Sequence, residues 1–183
     1  MPPSQWEVRG RYWEDIGNML DKITHTIDPV YDENSKILIL GTMPSPKSRE
    51  VGFYYGHAQN RFWPIMSDLF SIDKLSNNEE KMRFLREKKI ALWDVLKSCE
   101  IKGAEDSSIK NPEANDINKI IKNSKVKVVF TTGKKATDLY KKYCYNDTTI
   151  ESIYLPSTSS ANRARYSYED LITEYRIIFD YLK

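Results

Sequence analysis

A chain of 183 residues has the length of one domain and is long enough to bury a hydrophobic core. Charged residues make up 30% of it and hydrophobic residues 40%, a balance that excludes disordered, collagen-like and membrane-embedded proteins. The formal net charge of +2 neither requires nor excludes a nucleic-acid partner, so the clustering of charge along the chain has to decide.

The residue inventory predicts a protein without a metal or cofactor. Two cysteines cannot hold a four-thiolate iron–sulfur cluster, and with two histidines a dedicated zinc site is hard to assemble. Cys99 and Cys144 are therefore expected to be reduced and structural. No apolar run reaches the roughly 20 residues of a membrane helix, and Met1–Gly10 lacks the layout of a signal peptide. We expect a cytoplasmic monomer.

The first predicted element is a helix over Trp6–Thr24, where apolar residues recur at helical spacing. Residues 1–29 as a whole are expected to pack on the core as a helical extension. Ile37–Leu40 is a continuous apolar run that ends at Gly41, which is typical of a strand buried on both faces. After a loop, apolar residues at helical spacing predict a helix from Phe62 onward.

The rest of the chain alternates between strands and helices. The first predicted elements are a charged helix over Asn77–Lys88, a strand over Ile90–Trp93 and a polar loop over Glu100–Ser108. Asn111 and Pro112 are then predicted to open a helix that carries Ile117, Ile120 and Ile121. A strand over Val126–Thr131, a helix from Lys134, a strand over Thr149–Leu155 and a last helix opened by a capping box at Ser167–Asp170 follow. The alternation predicts a single α/β domain over residues 30–183, a three-layer α/β/α sandwich around a central four-stranded parallel sheet.

In such sheets, ligands bind outside the carboxyl ends of the strands. The predicted ends are Gly41–Thr42, Asp94, Thr132–Gly133 and Pro156–Ser157. Because these polar and glycine-rich segments would meet at one edge of the sheet, we expect the functional site there.

The loop after the first strand of the sheet holds more unusual chemistry than a connection needs. Gly41–Ser45 is either a tight turn or a ligand loop, and it lacks the Gly-Lys-Ser/Thr ending of a phosphate-binding P-loop. Phe53–Tyr55 lie between two glycines without helix or strand period, so they either pack in the core or form a stacking wall for a planar ring. The side chains of His57 and Asn60 either form hydrogen bonds with backbone groups or contact a ligand. For an asparagine just before a helix, capping that helix is the ordinary role.

Two further segments carry positive charge and hydroxyl groups. Lys134 and Lys135 follow a strand and open a helix, which is either an anion site or a solvated lysine pair. Leu155–Tyr166 combines small hydroxyl side chains, which can approach a phosphate backbone closely, with Arg163 and Arg165. Taken together, the segments predict a pocket for a planar base beside a nucleic-acid backbone.

The same segments carry a resemblance to a known family. They are Gly41–Ser45, Lys47–Glu50, Gly52–His57, Gln59–Trp63, Leu92–Val95, Gly133–Ala136, Leu155–Ser159 and Ala161–Asn162. In this order they resemble the uracil-DNA glycosylase superfamily, and within it the hypoxanthine-DNA glycosylase, or DNA-deoxyinosine glycosylase, group. The likeness runs from roughly Val30 to Lys183, with Thr42-Met43 where that group usually has Ser-Phe.

The resemblance implies a monofunctional enzyme that removes a flipped, deaminated base from DNA in base excision repair, with hypoxanthine as first choice and uracil or xanthine as further substrates. It implies that Asn60 is the catalytic residue and that its amide oxygen orients water. The implied base-binding residues are Gly41, Thr42, Met43, Pro44, Ser45, Phe53, Tyr54, Tyr55 and His57. The implied DNA-binding residues are Lys134, Lys135, Ser157, Thr158, Ser159, Asn162, Arg163 and Arg165.

Two other classes of protein fit the residues alone. The sheet edge and the aromatic loop suit a module that binds a nucleotide or a nucleic acid without hydrolysing it, and only release of a free base distinguishes such a module from an enzyme. An α/β domain for an unrelated small ligand would have no salt-dependent affinity for DNA.

Overall fold

The computed structural model describes residues 20–183. Its strands are β1 (Asp21–Thr24), β2 (Ile37–Gly41), β3 (Ile90–Asp94), β4 (Leu96–Ile101), β5 (Lys110–Ala114), β6 (Val128–Thr132) and β7 (Ser152–Leu155). Its helices are α1 (Pro46–Val51), α2 (Phe62–Leu69), α3 (Asn78–Lys88), α4 (Asn118–Lys122), α5 (Lys134–Tyr143), α6 (Tyr145–Thr148) and α7 (Tyr168–Tyr175), with short 3-10 helices at Asp106–Ser108, Ser160–Asn162 and Arg176–Tyr181.

The four parallel strands predicted from the sequence form one sheet, in the order β3-β2-β6-β7. All residues of β2 are buried, and they alternate between two core clusters. Ile37 and Ile39 belong to the cluster that α2, α3 and α7 cover, whereas Leu38 and Leu40 belong to the cluster that α4 and α5 cover. The structure therefore confirms the three-layer α/β/α sandwich.

Side-chain caps open two helices of the structure, one cap predicted from the sequence and the other not. In α7, the Ser167 side chain accepts a hydrogen bond from the Asp170 N–H at 3.1 Å, and the Asp170 carboxylate accepts one from the Ser167 N–H at 3.0 Å, which confirms the capping box. In α3, the Asn77 side chain accepts from the Glu80 N–H at 2.9 Å. The caps set where the two helices begin, and the apolar residues of both helices pack in the core cluster that contains Ile37.

A second sheet, β1-β4-β5, is antiparallel and was not predicted. The helix start assigned to Asn111 and Pro112 is wrong, since both residues lie in β5 and α4 begins only at Asn118. β5 is an edge strand of this sheet, where a proline without an N–H is tolerated. The polar loop predicted from Glu100 is also shorter than expected, because β4 continues to Ile101.

The amino-terminal helix predicted over Trp6–Thr24 falls partly outside the described residues. Its last four residues, Asp21–Thr24, are not helical and form β1, which pairs with β4. Cross-strand pairing, such as Ile23 opposite Cys99, prevails here over the helical spacing. Among the helices of residues 20–183, none combines the length and the apolar character that crossing a bilayer demands.

Candidate active site

A cavity of about 380 Å³ opens at the carboxyl edge of the parallel sheet. We call it the strand-end cavity; it is lined by Gly41, Thr42, Met43, Pro44, Ser45, Ser48, Tyr54, Tyr55, His57, Asn60, Asp94, Ile101, Ala104, Asp106, Thr132, Ser157, Ser159, Ser160 and Ala161. The ends of β2, β3 and β6 and the segment after β7 all contribute to it. The polar segments thus meet where the topology of the sheet predicts.

The residues predicted to bind a base divide between this cavity and the core. All of them except Phe53 line the strand-end cavity. Phe53 is only 5% exposed, and its ring stacks on Trp63 with the ring centroids 5.9 Å apart. Tyr54 packs against its edge at 5.8 Å. The stacking wall proposed for Phe53 needs correction, because neighbouring rings already surround this side chain within the core.

Tyr55 also lines the strand-end cavity. Its backbone has a φ of +54°, and its ring stacks on Phe62 with the centroids 4.0 Å apart. The phenol oxygen is buried and has no hydrogen-bond partner within residues 20–183. Burial and, to a smaller extent, the charge of Asp94 raise the pKa of Tyr55. The phenol is therefore a neutral and unused donor.

Tyr54 fixes the loop that carries these aromatic residues. Its hydroxyl is directed at the carbonyls of Ile27 and Asp28, at 3.2 and 2.8 Å. The indole N–H of Trp63 donates to the Tyr54 carbonyl at 2.9 Å. The loop is thereby tied both to the segment before β2 and to the first turn of α2.

Asp94, the last residue of β3, places a carboxylate in the cavity. The side chain is 7% exposed, and its Oδ2 lies 2.8 Å from Nε2 of His25, whose side chain is 3% exposed. A Cβ atom at residue 41 would lie 2.5 Å from Asp94 Oδ1, so the carboxylate can occupy this place only because Gly41 has no side chain.

The sequence identifies Asp94 only as a strand end, and it does not single out His25 as a site residue. The two residues are separated by 69 positions in the chain. No local pattern can reveal a contact over that distance, and the pairing of β1 with the second sheet was not predicted.

Asn60 lies immediately before α2, as the sequence predicts, and its amide oxygen is already engaged. Oδ1 accepts hydrogen bonds from the Phe62 N–H at 2.9 Å and from the Thr158 hydroxyl at 2.8 Å. Reversing the amide would direct its NH₂ group at the Phe62 N–H, donor against donor, so the orientation is determined. Within residues 20–183, the Nδ2 group has no hydrogen-bond partner and remains available to a ligand.

An open groove of about 440 Å³ adjoins the cavity. We call it the flanking groove; it is lined by Ala58, Gln59, Asn60, Arg61, Pro64, Arg163, Tyr166, Ser167 and Tyr168. Asn60 lines both spaces. Asn60 therefore stands at the boundary between the strand-end cavity and the more open flanking groove.

The hydroxyl residues of the segment after β7 have different surroundings. Ser157 and Ser159 line the strand-end cavity, whereas Thr158 is 1% exposed and binds Asn60. The buried position of Thr158 does not agree with a contact to phosphate, because its hydroxyl holds the amide of Asn60. Asn162 donates from Nδ2 to the Ser157 carbonyl at 3.0 Å and so supports the loop from inside.

Arg61, which the sequence analysis did not select, joins α2 to that segment. It is 6% exposed, and its guanidinium donates to the carbonyls of Tyr166 at 2.7 Å and Ser159 at 3.0 Å. Its Nε lies 3.4 Å from the carbonyl of Thr158, which also accepts from the Arg61 backbone N–H at 3.0 Å. Burial lowers the pKa of Arg61, and the charge of Arg163 acts in the same direction.

The predicted basic residues lie outside the cavity. Arg163 lines the flanking groove, and Arg165 is exposed on the same loop. Lys134 is exposed at the start of α5 and pairs with Asp138 at 2.7 Å, while Lys135 lines a neighbouring groove. The structure thus brings Arg163 into the groove that Asn60 also lines, whereas Arg165 and the two lysines line neither the cavity nor this groove.

The charges inside the cavity differ from those around it. Asp94 and Asp106 both line the cavity, and two carboxylates disfavour an anionic group there. Arg163 in the flanking groove favours an anion. The arrangement suits a ligand with a neutral, planar end for the cavity and a negatively charged remainder for the groove.

Comparison with known proteins agrees with this geometry. The family model of the Uracil DNA glycosylase superfamily matches residues 29–183. A protein of Methanosarcina barkeri strain Fusaro named Hypoxanthine DNA glycosylase is 37% identical over 141 residues, which cover 74% of this chain and 85% of that protein. A Methanosarcina acetivorans protein of the same name is 34% identical over 156 residues, 82% of this chain and 94% of its own length.

A solved structure gives the same result. The solution NMR structure of a candidate uracil DNA glycosylase from Methanosarcina acetivorans superposes with a TM-score of 0.74 and 31% sequence identity. The match covers 87% of this chain and 98% of that one. The chain therefore belongs to the uracil DNA glycosylase superfamily and is an enzyme of the DNA N-glycosylase class.

Proposed function

We propose that the protein hydrolyses the N-glycosidic bond of hypoxanthine in DNA, with uracil or xanthine as further substrates, as a step of base excision repair. The observation that carries the proposal is the position of Asn60 at the boundary of the strand-end cavity and the flanking groove. A base in the cavity and a DNA backbone in the groove would place the glycosidic bond beside Asn60. The names of the two Methanosarcina relatives support hypoxanthine as the base.

The proposed reaction requires the nucleotide to leave the helix. A base inside a duplex cannot reach an enclosed cavity, and turning it out costs a few kcal/mol, less when the base is mismatched after deamination. In the cavity the base would lie beside Tyr55 and the turn after β2. The Gly41 and Thr42 carbonyls already accept bonds from the Val95 and Leu96 N–H groups at 2.8 and 3.1 Å. The backbone N–H groups of this turn are therefore the groups proposed to contact the base.

Asn60 is proposed to hold the attacking water. Departure of a base leaves a sugar with oxocarbenium character, and so electrophilic a centre needs a positioned water more than a strong base. As the sugar C–N bond breaks, the base leaves with its electron pair and the water forms the new C–O bond. An amide cannot take up a proton at neutral pH, so the proton that the water loses passes to the departing base or to solvent. The expectation that the amide oxygen orients this water needs correction, because Oδ1 already accepts hydrogen bonds from Phe62 and Thr158. We therefore assign the water contact to the free Nδ2 group.

We further propose that the enzyme is monofunctional and leaves an abasic site. A strand-cutting glycosylase uses an amine that forms a Schiff base with the sugar. Within residues 20–183, no lysine lines the strand-end cavity or the flanking groove. Cleavage of the strand would then require added alkali.

The test is a panel of duplexes that carry deoxyinosine, deoxyuridine or deoxyxanthosine, each incubated with the protein. We expect release of free hypoxanthine, measured by chromatography, and strand cleavage only after alkali. Binding of these duplexes without release of any base would instead favour the non-hydrolytic nucleic-acid module. Strand cleavage before alkali would contradict the monofunctional assignment.

A further inference from the structure

The groove that Lys135 lines lies between β5 and α5 and has a volume of about 490 Å³. We call it the lysine groove, because Lys110, Lys135 and Lys142 all line it. Within residues 20–183, none of the three forms an ion pair. Asp138, the carboxylate that also lines the groove, is already paired with Lys134 at 2.7 Å. The groove therefore offers positive charge that its own residues do not neutralise.

The spacing of these lysines suits a phosphate backbone. About two turns of α5 separate Lys135 from Lys142, so the two residues share a face of the helix and lie about 10 Å apart along its axis. About three nucleotides of one DNA strand have a similar rise. The ammonium of Lys142 lies over the exposed ring of Tyr143, 5.2 Å from its centroid, a cation–π contact at the groove. Lys110 lines the groove from the start of β5.

The lysine groove and the flanking groove lie on opposite faces of the parallel sheet. The flanking groove is bordered by α2 and α7, which pack in the core cluster of Ile37, whereas α5 packs in the cluster of Leu38. The strand-end cavity opens at the sheet edge, between these faces. Ala104 and Asp106, in the loop that joins β4 to β5, line the cavity, and Lys110 follows that loop directly. A duplex that presents a nucleotide to the cavity can therefore extend into both grooves.

We propose that the lysine groove is a second DNA-binding surface, in which Lys110 and Lys142 bind phosphates of the duplex whose flipped nucleotide enters the cavity. This inference rests on the proposed function and adds contacts on the other face of the sheet. The family resemblance assigns Lys134 and Lys135 to DNA, but it gives no role to Lys110 or Lys142. An ammonium binds a phosphate as a point charge and without regard to sequence, which suits an enzyme whose damaged base occurs in any sequence.

A peptide strand is the other occupant that a groove beside an edge strand suggests, and β5 is poorly suited to it. Lysine, proline and irregular pairing on an edge strand all oppose the addition of another strand. β5 has all three features: it contains Lys110 and Pro112, and its register with β4 shifts along the pair. Asn111 also has a φ of +48°, outside the extended region. The chemistry of the groove therefore favours nucleic acid.

The salt dependence of DNA binding tests the proposal. The probe is a duplex with a deoxyinosine analogue whose sugar fluorine slows departure of the base, and Kd is followed by fluorescence anisotropy. The variant combines Lys110→Gln with Lys142→Gln. The matched control combines Lys125→Gln with Lys127→Gln, two exposed lysines just before β6, at the sheet edge opposite the cavity.

Loss of two phosphate contacts should lower the slope of log Kd against log salt concentration by about 2, whereas the control should keep the wild-type slope. The thermal midpoint of each protein shows that it is folded. An unchanged slope in the folded Lys110→Gln, Lys142→Gln variant, or an equal fall in the control, would overturn the proposal.

Trimming the duplex on one side of the analogue or on the other locates the contact. Because the two grooves lie on opposite faces of the sheet, one trimmed duplex should bind the wild type and the Lys110→Gln, Lys142→Gln variant equally. The other trimmed duplex should retain the full difference between the two proteins. A difference that persists on both would show a general effect of charge and would contradict a contact in the groove.

Two further outcomes separate this inference from its alternatives. Binding of poly-glutamate that depends on Lys110 and Lys142, with an unchanged slope for DNA, would make the groove a protein-docking surface and overturn the proposal. No release of hypoxanthine from deoxyinosine by the wild type, with the slope lowered as expected, would overturn the proposed hydrolysis and leave the DNA-binding surface. Release of hypoxanthine with an unchanged slope would overturn only this inference.

Discussion

The role of Asn60 is determined by the hydrogen bonds it already makes. A position before a helix predicts a cap, but the N-cap of α2 is Arg61, and the Asn60 amide oxygen instead accepts from the Phe62 N–H two residues on, as in an Asx-turn. The hydroxyl of Thr158 occupies the remaining acceptor capacity of that oxygen, so the catalytic proposal falls on Nδ2. In this proposal the amide oxygen has the structural role, and the Nδ2 group has the catalytic role.

This division predicts different results from two substitutions. Asn60→Ala should lower the single-turnover rate on deoxyinosine by roughly 100-fold or more, as for loss of one catalytic donor, while DNA binding persists. Asn60→Asp keeps an oxygen for Phe62 and Thr158 but replaces the donor by an acceptor, so it should be similarly impaired. Rates measured well below each thermal midpoint, with binding followed by fluorescence anisotropy, check this. A near wild-type rate in Asn60→Asp would show that the water contact uses an oxygen.

Among the elements, α2 and the segment after β7 are joined chiefly by one buried side chain. Arg61 binds three backbone carbonyls of that segment, and within residues 20–183 no carboxylate lies within ion-pair distance of it. The same segment carries Thr158, which holds Asn60. The geometry of the Asn60 amide therefore depends on a contact between elements that are far apart in the sequence.

Removing this contact should affect both stability and rate. Arg61→Leu removes the guanidinium from three carbonyls and leaves that of Tyr166 without a donor, since those of Thr158 and Ser159 keep backbone N–H partners. We expect a loss of about 2 to 3 kcal/mol in the free energy of unfolding, measured by urea denaturation. Arg61→Lys should recover part of it, because an ammonium cannot reproduce the fork of the guanidinium. The matched control is Arg163→Leu, which changes an exposed arginine and should alter stability by less than roughly 0.5 kcal/mol. Equal effects of the two leucine substitutions would refute the role of Arg61.

Across the whole molecule, buried phenols couple stability to alkaline pH. Burial raises the pKa values of Tyr54, Tyr55, Tyr140 and Tyr175 above the ordinary tyrosine value. These groups keep their protons in the folded state after the unfolded chain has begun to lose them. Their contribution to stability is therefore complete below about pH 10, the unfolded pKa of tyrosine, and declines as the pH rises further.

The urea midpoint should accordingly fall between pH 9 and roughly pH 11, beyond the tyrosine pKa of about 10. In Tyr175→Phe the decline should be less steep, although the variant is less stable at pH 8, because Tyr175 donates to the Pro156 carbonyl at 2.6 Å. The difference between the wild-type slope and the Tyr175→Phe slope gives the contribution of this phenol, because the lysines that titrate in the same range are present in both proteins. Parallel slopes would contradict the expected role of Tyr175.

Several features could be predicted from the sequence because they depend on neighbouring residues. The alternation of strands and helices predicts the sandwich, the buried run Ile37–Leu40 its central strand, and Ser167 with Asp170 the last helix. The edge that carries the cavity follows from the direction of the strands. Asn60 could be placed before α2 since the periodicity of that helix begins two residues later.

Only the tertiary structure determined which polar atoms remain free at the site. Phe53 and Tyr55 belong to the same aromatic segment, and no sequence pattern distinguishes their environments. The structure encloses Phe53 among core rings, whereas Tyr55 lines the cavity. The pair of His25 and Asp94 depends on β1 joining a second sheet, and no periodicity reports a contact between residues so far apart. Local patterns predict elements, whereas the availability of a donor or acceptor depends on every element packed around it.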